Sequence, residues 1–291
     1  MLSRRSLLSL AIGAALAAPL TPASAANAQK TLKDLHKRIG GRLGVHILDS
    51  QSGRRIAYDD DSRYSMASTF KLPLAAALLW QLDHRAFPPS HALPISKQAV
   101  LANSPIVEAK LAAGATSMTV LELCSAAVAQ SDNAAANILL AGIGGPDGFT
   151  QFMRSLGDET TRLDCMELDL NSNTPGDARD TTTPRAMANS MLRMFTQDVL
   201  SLTSRALLID WMSSSRTGLD RVRAGLPKSW PAGDKTGTGE NGAVNDLCIV
   251  YPPERRPIFV AAYMSESPLD VKTLSAAHAE IGRLVASEKW K

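Results

Sequence analysis

The sequence predicts an α/β fold of the α+β type. An antiparallel sheet carries flanking N- and C-terminal helices and receives an all-α lobe as an insertion. Two observations predict this arrangement. Short stretches with the alternation and β-branched residues of strands occur near both ends of the chain, and the region between them is rich in Ala, Leu and Met at helical spacing. Pairing the strands of both ends in one sheet leaves a cleft between the two lobes, where an active site fits.

The first elements after residue 28 are a helix and a hairpin. Residues 30–40 carry apolar side chains at helical spacing, and Gly40-Gly41 ends this helix. Residues 42–49 then alternate as a strand does, Ser52-Gly53 makes a turn, and residues 54–58 return. This segment is therefore predicted to be a β-hairpin.

Repeated three-to-four spacing from Ser68 to about Trp211 predicts a block of helices. The predicted helices are Leu72–Leu82, Thr119–Ala129, Asn133–Leu140, Pro146–Leu156, Thr183–Met194 and Ser204–Met212. A polar segment, about residues 162–180, contains Pro175-Gly176 and is too irregular for a helix. Loops of this length inside a compact domain are usually functional.

Strands resume after Pro231 and a helix closes the chain. The predicted strands are Asp234–Thr238, Asn245–Tyr251 and Pro257–Tyr263, and the helix places Leu274, Ala277, Ile281, Leu284 and Val285 on one face. We expect one catalytic domain, residues 29–291. Its α/β lobe covers about residues 29–62 and 213–291, and its α lobe covers about residues 63–212.

Residues 1–28 have the features of an export signal that is removed. Arg4 and Arg5 precede the apolar stretch Leu7–Leu20, and Ala23-Ser24-Ala25 and Ala26-Asn27-Ala28 are both small-residue cleavage sites. The segment around the two arginines also resembles a twin-arginine export motif. The apolar stretch is shorter than the roughly 20 residues of a membrane span, although an uncleaved anchor is the alternative. We therefore expect a periplasmic or secreted protein without stable membrane association.

Composition excludes several classes of function. Of the 291 residues, 45% are hydrophobic and 20% charged, which is typical of a soluble globular protein. The 31 basic residues become 29 once Arg4 and Arg5 are removed, against 28 acidic residues, so the mature chain is nearly neutral. We expect neither nucleic acid nor an anionic membrane as a partner, and a monomer is the default.

The cysteines and histidines predict no metal site. The three cysteines, Cys124, Cys165 and Cys248, are an odd number, so at least one is unpaired within the chain. None has the short spacing of a zinc site, and the five histidines are scattered along the chain. We expect no metal and no organic cofactor.

Ser68 is the candidate nucleophile. If a helix starts at Ser68, Lys71 lies on the same face three residues later. A serine hydroxyl needs a neighbouring base, and a lysine with a depressed pKa can serve as one or can stabilise the developing alkoxide. An isolated Ser-x-x-Lys is more often an ordinary surface helix start.

Two further motifs could complete a site. In Ser131-Asp132-Asn133, Ser131 could pass a proton to a leaving nitrogen and Asn133 could hold a substrate amide; helix capping is the alternative. In Lys235-Thr236-Gly237, the lysine could bind an anion and the glycine could let substrate approach the backbone; a charged edge strand with a glycine kink is the alternative. The N–H groups of Ser68 and Thr238 could form an oxyanion hole.

The three motifs, in this order, resemble those of class A β-lactamases and penicillin-binding proteins. The resemblance to class A β-lactamases covers about residues 30–288. It implies hydrolysis of the β-lactam amide of penicillins and cephalosporins through an acyl-enzyme on Ser68, and hence antibiotic resistance. It also implies that Lys71 and Glu167 are candidate acylation bases. Lys235, Thr236 and Thr238 would bind the substrate carboxylate.

Residues 162–180 resemble the omega loop of class A enzymes. Glu167 and Asn171 lie where the family places the carboxylate and amide that hold the hydrolytic water, and residues 175–182 match the loop exit. A carboxylate suits a general base that activates water against an acyl-serine ester. Penicillin-binding proteins lack this glutamate, which argues against the first alternative, a DD-peptidase or transpeptidase. A second alternative is a non-catalytic β-lactam sensor, against which the cleavable signal and the lack of a transmembrane partner domain argue.

The omega loop also departs from the family pattern. The family usually has an arginine where this chain has Cys165, so the ion pair with Asp180 cannot form. Met166 replaces an aromatic or long aliphatic residue, and Leu168 replaces a common proline. The loop is expected either to be looser, which would admit bulkier substrate side chains, or to be held by other contacts.

Departures elsewhere affect substrate binding and disulfides. Asn103 stands where many members have a stacking aromatic residue, and Val244 stands where some have a carboxylate-binding arginine. Arg221 matches the position from which a subset of the family supplies this guanidinium; an ordinary surface arginine is the alternative. Ala67 and Gly239 exclude the disulfide of several carbapenem-hydrolysing members. We expect Cys124, whose usual partner site is Ala75, and Cys248 to be buried free thiols.

Overall fold

A computed structural model describes residues 22–288 and Trp290. The α-helices of this part are α1 (Pro22–Ile39), α2 (Lys71–Asp83), α3 (Pro105–Ala112), α4 (Val120–Ala129), α5 (Asn133–Gly142), α6 (Gly145–Ser155), α7 (Pro184–Thr196), α8 (Leu202–Ser214) and α9 (Val271–Ser287). The strands are β1 (Arg42–Asp49), β2 (Arg55–Tyr58), β3 (Tyr64–Ser65), β4 (Ala92–Pro94), β5 (Ser117–Thr119), β6 (Thr181–Thr182), β7 (Ala232–Thr238), β8 (Val244–Val250) and β9 (Ile258–Ser265).

The central sheet joins the two ends of the chain, as the sequence predicts. Its five antiparallel strands lie in the order β2-β1-β9-β8-β7. β1 pairs with β9 from Arg42 opposite Ser265 to Asp49 opposite Ile258. The α+β prediction is confirmed, because an antiparallel sheet with helices at both chain ends receives a helical segment between β2 and β7.

Each face of the sheet is covered by a different set of helices. Successive residues of a strand point to opposite faces, and on β8 Cys248 and Val250 pack with α1 and α9 while Leu247 and Ile249 pack with the helical segment. Two apolar clusters result, and β7 is left at the edge of the sheet next to the helical segment.

Helix α2 runs through the centre of the helical segment, with every residue from Lys71 to Leu79 buried. The helix that was supposed to start at Ser68 starts there as a 3₁₀ helix, Ala67–Phe70, which leads into α2. Pro73 gives the physical reason. In an α-helix that began at Ser68, the missing N–H of Pro73 would leave the carbonyl of Thr69 without its hydrogen-bond donor. In the first turn of α2 no hydrogen bond is lost, because N–H groups there have no partner within the helix.

Apart from the start of the first helix, the other predicted helices and strands are confirmed, with ends that shift by at most two residues. The sequence missed α3 and the two-stranded pairs β3–β6 and β4–β5, which are too short to show periodicity. Helix α1 begins at Pro22, eight residues before the predicted start and inside the predicted export signal. Residues 1–21 of that signal lie outside the described residues.

Two further expectations concern single features. Cys124 and Cys248 are buried free thiols, as predicted, and Cys165 is free and half-buried. Within the described residues, no helix is both long and apolar enough to cross a membrane.

Candidate active site

Ser68 lies at the base of α2, facing residues 162–180, the segment that resembles an omega loop and is called by that name below. Its Oγ is within 3.4 Å of Glu167 Oε1. Strand β7 passes close behind it: a Cβ built on Gly237 would lie 2.7 Å from the carbonyl oxygen of Met66 and 3.2 Å from the amide nitrogen of Thr69. Only glycine permits this approach, which brings the backbone of β7 beside the Ser68 turn.

Lys71 is fully buried and surrounded by acceptors. Its Nζ lies 2.9 Å from Glu167 Oε1 and 2.9 Å from the carbonyl oxygen of Ser131, and it donates a short hydrogen bond to Asn133 Oδ1. Burial lowers the pKa of Lys71, while the Glu167 carboxylate opposes that shift. A burial-driven fall in pKa raises the fraction of neutral amine, the form that can accept a proton.

Ser131 stands between the two lysines predicted to act in the site. Its Oγ is 3.1 Å from Lys235 Nζ and 3.5 Å from Lys71 Nζ. Its backbone has a positive φ of 56°, and Asn103 Nδ2 donates to its carbonyl oxygen at 3.0 Å. Asn103 therefore holds the turn that presents the Ser131 hydroxyl.

The other two residues of the second motif support the same turn. Asp132 caps α5 by accepting from the N–H of Ala135 at 2.9 Å, so the capping interpretation of this residue is confirmed. Asn133 lines the cleft, and its Nδ2 donates to the carbonyl oxygen of Ala102 at 2.7 Å. This leaves one amide hydrogen of Asn133 for another acceptor.

The third motif lies along β7 opposite Ser131. Lys235 is fully buried and also donates to the carbonyl oxygen of Thr236 at 2.7 Å. Burial lowers the pKa of Lys235 well below its usual value, and the nearby Lys71 cation adds to the shift. The hydroxyl of Thr236 donates to Thr217 Oγ1 at 2.7 Å.

Arg221 is not an ordinary surface arginine, because only 4% of it is exposed. Its Nη1 donates to the carbonyl oxygen of Gly237 at 2.9 Å, and its Nη2 donates to Thr238 Oγ1 at 2.8 Å. The guanidinium therefore lies behind the end of β7 and reaches the cleft beside Thr238.

Glu167 is held at both its backbone and its carboxylate. Asn137 donates to its carbonyl oxygen and accepts from its N–H, both at 2.9 Å. Asn171 Nδ2 donates to Glu167 Oε2 at 2.6 Å. The peptide bond between Glu167 and Leu168 is cis.

The neck of the omega loop is closed without the usual arginine. Asp180 Oδ1 accepts from the N–H groups of Asp164 at 2.7 Å and Cys165 at 2.9 Å, and the N–H of Asp180 donates to Asp164 Oδ2 at 3.1 Å. Of the two expectations for this loop, the structure supports the one in which other contacts hold it. Burial, followed by the Asp180 carboxylate, raises the pKa of the Cys165 thiol to about 11, so this thiol is not activated.

These residues meet in one cleft of about 630 Å³ between the sheet and the helical segment. Its lining is Ser68, Asn103, Ser131, Asn133, Leu168, Asn171, Thr217, Arg221, Thr236, Thr238 and Glu240. The volume suits a small-molecule ligand. Among the described residues there is no cluster of three or more His, Cys, Asp or Glu that could hold a metal ion.

Sequence reasoning missed two residues of the site, Asn137 and Thr217. Asn137 follows Asn133 by one helical turn, so the same face of α5 carries both amides, and this spacing could have identified it. Thr217 lies in an irregular segment after α8 and has no signal in the sequence.

Comparisons with known proteins agree with this geometry. The profile described as the β-lactamase enzyme family matches residues 27–288. β-Lactamase OXY-2 of Klebsiella oxytoca is 38% identical over 279 residues, which cover 96% of this chain and 95% of that protein. The carbapenem-hydrolysing β-lactamase KPC of Klebsiella oxytoca is 43% identical over 251 residues, which cover 86% of this chain and 85% of that protein.

Solved structures identify the class. An ancestral (GNCA) class A β-lactamase superimposes with a TM-score of 0.86 at 48% identity, covering 89% of this chain and 98% of that chain. The buried lysine beside the serine and the glutamate on the omega loop fit a serine hydrolase that works through a covalent intermediate. The chain belongs to the β-lactamase enzyme family, in class A.

Proposed function

We propose that this enzyme hydrolyses the β-lactam amide of penicillins and cephalosporins through an acyl-enzyme on Ser68, and so confers antibiotic resistance. One observation carries the assignment of Ser68. Its Oγ and Lys71 Nζ both approach the same oxygen, Glu167 Oε1, at 3.4 Å and 2.9 Å. One carboxylate thus reaches both the nucleophile and the lysine that could activate it.

In acylation, Ser68 Oγ attacks the lactam carbonyl carbon and gives up its proton. Lys71, as the neutral amine, and Glu167, through a water molecule, are the two candidate acceptors. The N–H groups of Ser68 and Thr238 stabilise the charge on the carbonyl oxygen. As the carbon–nitrogen bond breaks, Ser131 relays a proton to the lactam nitrogen: it donates its hydroxyl proton and regains one from protonated Lys71, which returns the proton taken from Ser68. The nearby Lys235 supplies electrostatic support.

Substrate is oriented at both walls of the cleft. Lys235, Thr236, Thr238 and Arg221 bind the substrate carboxylate, and Gly237 lets substrate lie against β7. A guanidinium pairs well with a carboxylate, particularly in a cleft that excludes water. On the opposite wall, Asn133, Asn103 and Asn171 contact the remainder of the substrate.

Deacylation depends on the omega loop. Glu167 takes a proton from the water that attacks the acyl-Ser68 ester, and Asn171 holds that water and the Glu167 carboxylate. The proton returns to Ser68 as the ester bond breaks. Glu167 favours the lactamase over a DD-peptidase, in which the acyl-enzyme with a β-lactam persists. The proposed cleavable export signal argues against a sensor that stays acylated. The proposed reaction needs neither metal nor organic cofactor.

Turnover of benzylpenicillin, followed together with the intact mass of the protein, tests the proposal. We expect steady hydrolysis and full recovery of the unmodified mass. A one-to-one adduct that persists without turnover would instead support the peptidase or the sensor. Absence of both adduct and hydrolysis would refute acylation at Ser68.

We further propose that the chain is exported to the periplasm or secreted as a monomer. Residues 29–291 then form the catalytic domain, with the lobes and the omega loop bounded as predicted from the sequence. Ala28 is buried in α1 as part of an apolar cluster. Cleavage after Ala25 would keep Ala28 in that cluster, whereas cleavage after Ala28 would remove it. N-terminal sequencing of the exported protein distinguishes the two sites.

A further inference from the structure

Two asparagines hold the end of the omega loop on the turn between β7 and β8. Asn173 Nδ2 donates to the carbonyl oxygens of Glu240 and Asn241, both at 3.1 Å. In return, Asn241 Nδ2 donates to the carbonyl oxygens of Ser172 at 3.2 Å and Asn173 at 3.1 Å. The two side chains thus form a reciprocal clamp, which we call the Asn173–Asn241 clamp.

The clamp depends on asparagine at both positions. Asn173 has a φ of 43° and Asn241 a φ of 47°, in the left-handed region that asparagine tolerates better than most residues. Glycine would adopt the same backbone but would remove the amide donors. Aspartate would keep the shape of the side chain but would face carbonyl oxygens with a carboxylate oxygen.

The clamp lies next to the groups proposed for deacylation. Beside it, the N–H of Glu240 donates to the carbonyl oxygen of Asn171 at 2.9 Å. The amide of Asn171 in turn reaches Glu167 Oε2. Asn173 follows Glu167 by six residues in the sequence. A continuous set of hydrogen bonds leads from the clamp through Glu240 and Asn171 to the Glu167 carboxylate.

We propose that Asn173 and Asn241 are positioning residues for deacylation. Acting through the clamp, they hold Asn171, and through its amide Glu167, where water can attack the acyl-Ser68 ester. This inference rests on the proposed acyl-enzyme function and extends it to two residues that do not line the cleft. Of the two candidate acylation bases, the proposal takes Lys71. Acylation then depends on Ser68, Lys71 and Ser131, and none of these three residues has a hydrogen bond to Asn173 or Asn241.

The two steps can be separated by kinetics. Slower deacylation lowers kcat and KM together and leaves kcat/KM unchanged, because kcat/KM reports only the steps up to acylation. For Asn173→Gly and Asn241→Gly we expect kcat and KM for benzylpenicillin to fall about tenfold each, since a misplacement of about 1 Å at a reacting group can cost up to about a hundredfold. Intact mass during turnover should show the acyl-enzyme accumulating.

Two further variants control for folding and strain. Asn173→Asp keeps the side-chain shape and should give the same kinetic pattern. Glu254→Gly also relieves a positive φ, of 56°, on an exposed loop at the opposite end of β8, and should leave kcat and KM unchanged.

The positioning role of Asn173 and Asn241 would be refuted if kcat in the two glycine variants matched the wild type, or if kcat/KM fell together with kcat. A wild-type enzyme that forms no adduct with benzylpenicillin would overturn the proposed function itself, and the inference with it.

Discussion

The hydrogen bonds of Asp180 make a quantitative prediction about the stability of the omega loop. Asp180→Asn keeps the shape of the side chain and, like aspartate, tolerates the φ of 58° at this position. It removes the charge from an acceptor that holds two N–H groups, of Asp164 and Cys165. A hydrogen bond to a charged group contributes about 1 kcal/mol more than a neutral one, so we expect a loss of about 2 kcal/mol in the free energy of unfolding.

For a chain of this size, that loss corresponds to a fall in Tm of roughly 4–8 °C. Urea unfolding and thermal denaturation of wild type and variant measure it. Two controls belong in the same experiment. Asp169→Asn changes an exposed carboxylate of the same loop, and Cys165→Ala keeps the backbone N–H that donates to Asp180; neither should change the Tm appreciably. If Asp180→Asn matched the wild type, the backbone N–H groups would not replace the missing arginine.

Three further predictions concern other contacts. Asn137→Ala leaves the backbone N–H and carbonyl of Glu167 without their partner, so kcat should fall about tenfold or more, the equivalent of about 1.4 kcal/mol; stopped-flow kinetics that show unchanged deacylation would contradict this. Arg221→Met should lower kcat/KM about tenfold for carboxylate-bearing β-lactams, and an unchanged value would remove Arg221 from substrate binding. Burial lowers the pKa of His278 to about 3, so between this value and the unfolded pKa of about 6.5 the unfolded chain binds a proton that the folded chain does not. Stability should therefore fall by about 2 kcal/mol from pH 7 to pH 5 through His278 alone, and unfolding of His278→Gln should lack this part of the pH dependence.

Sequence reasoning succeeded where regular elements carry the side chains. Lys235, Thr236 and Gly237 lie on a strand whose alternation was visible, and Asn133 lies at the start of a helix with an evident period. Because regular backbone sets the direction of each side chain, placing a motif on a strand or at the start of a helix predicts where its side chains point.

Sequence reasoning failed where the contacts depend on irregular backbone. The 3₁₀ helix at Ser68, the position of Thr217 and the Asn173–Asn241 clamp all depend on turns whose dihedral angles cannot be read from periodicity. The loss of the arginine at position 165 was visible, but the backbone N–H groups that replace it have no side-chain signature. The least predictable part is therefore the loop that carries Glu167, the residue for which we propose a role in deacylation.

Trapping the acyl-enzyme with Glu167→Gln tests the central claim most directly. This variant keeps the size of the side chain but removes the general base, a change that typically costs about 10²- to 10⁴-fold in rate. After mixing with benzylpenicillin, intact mass and peptide mapping should show a stable one-to-one adduct on Ser68 while steady-state turnover collapses. Turnover equal to the wild type, or an adduct on any other residue, would contradict the account.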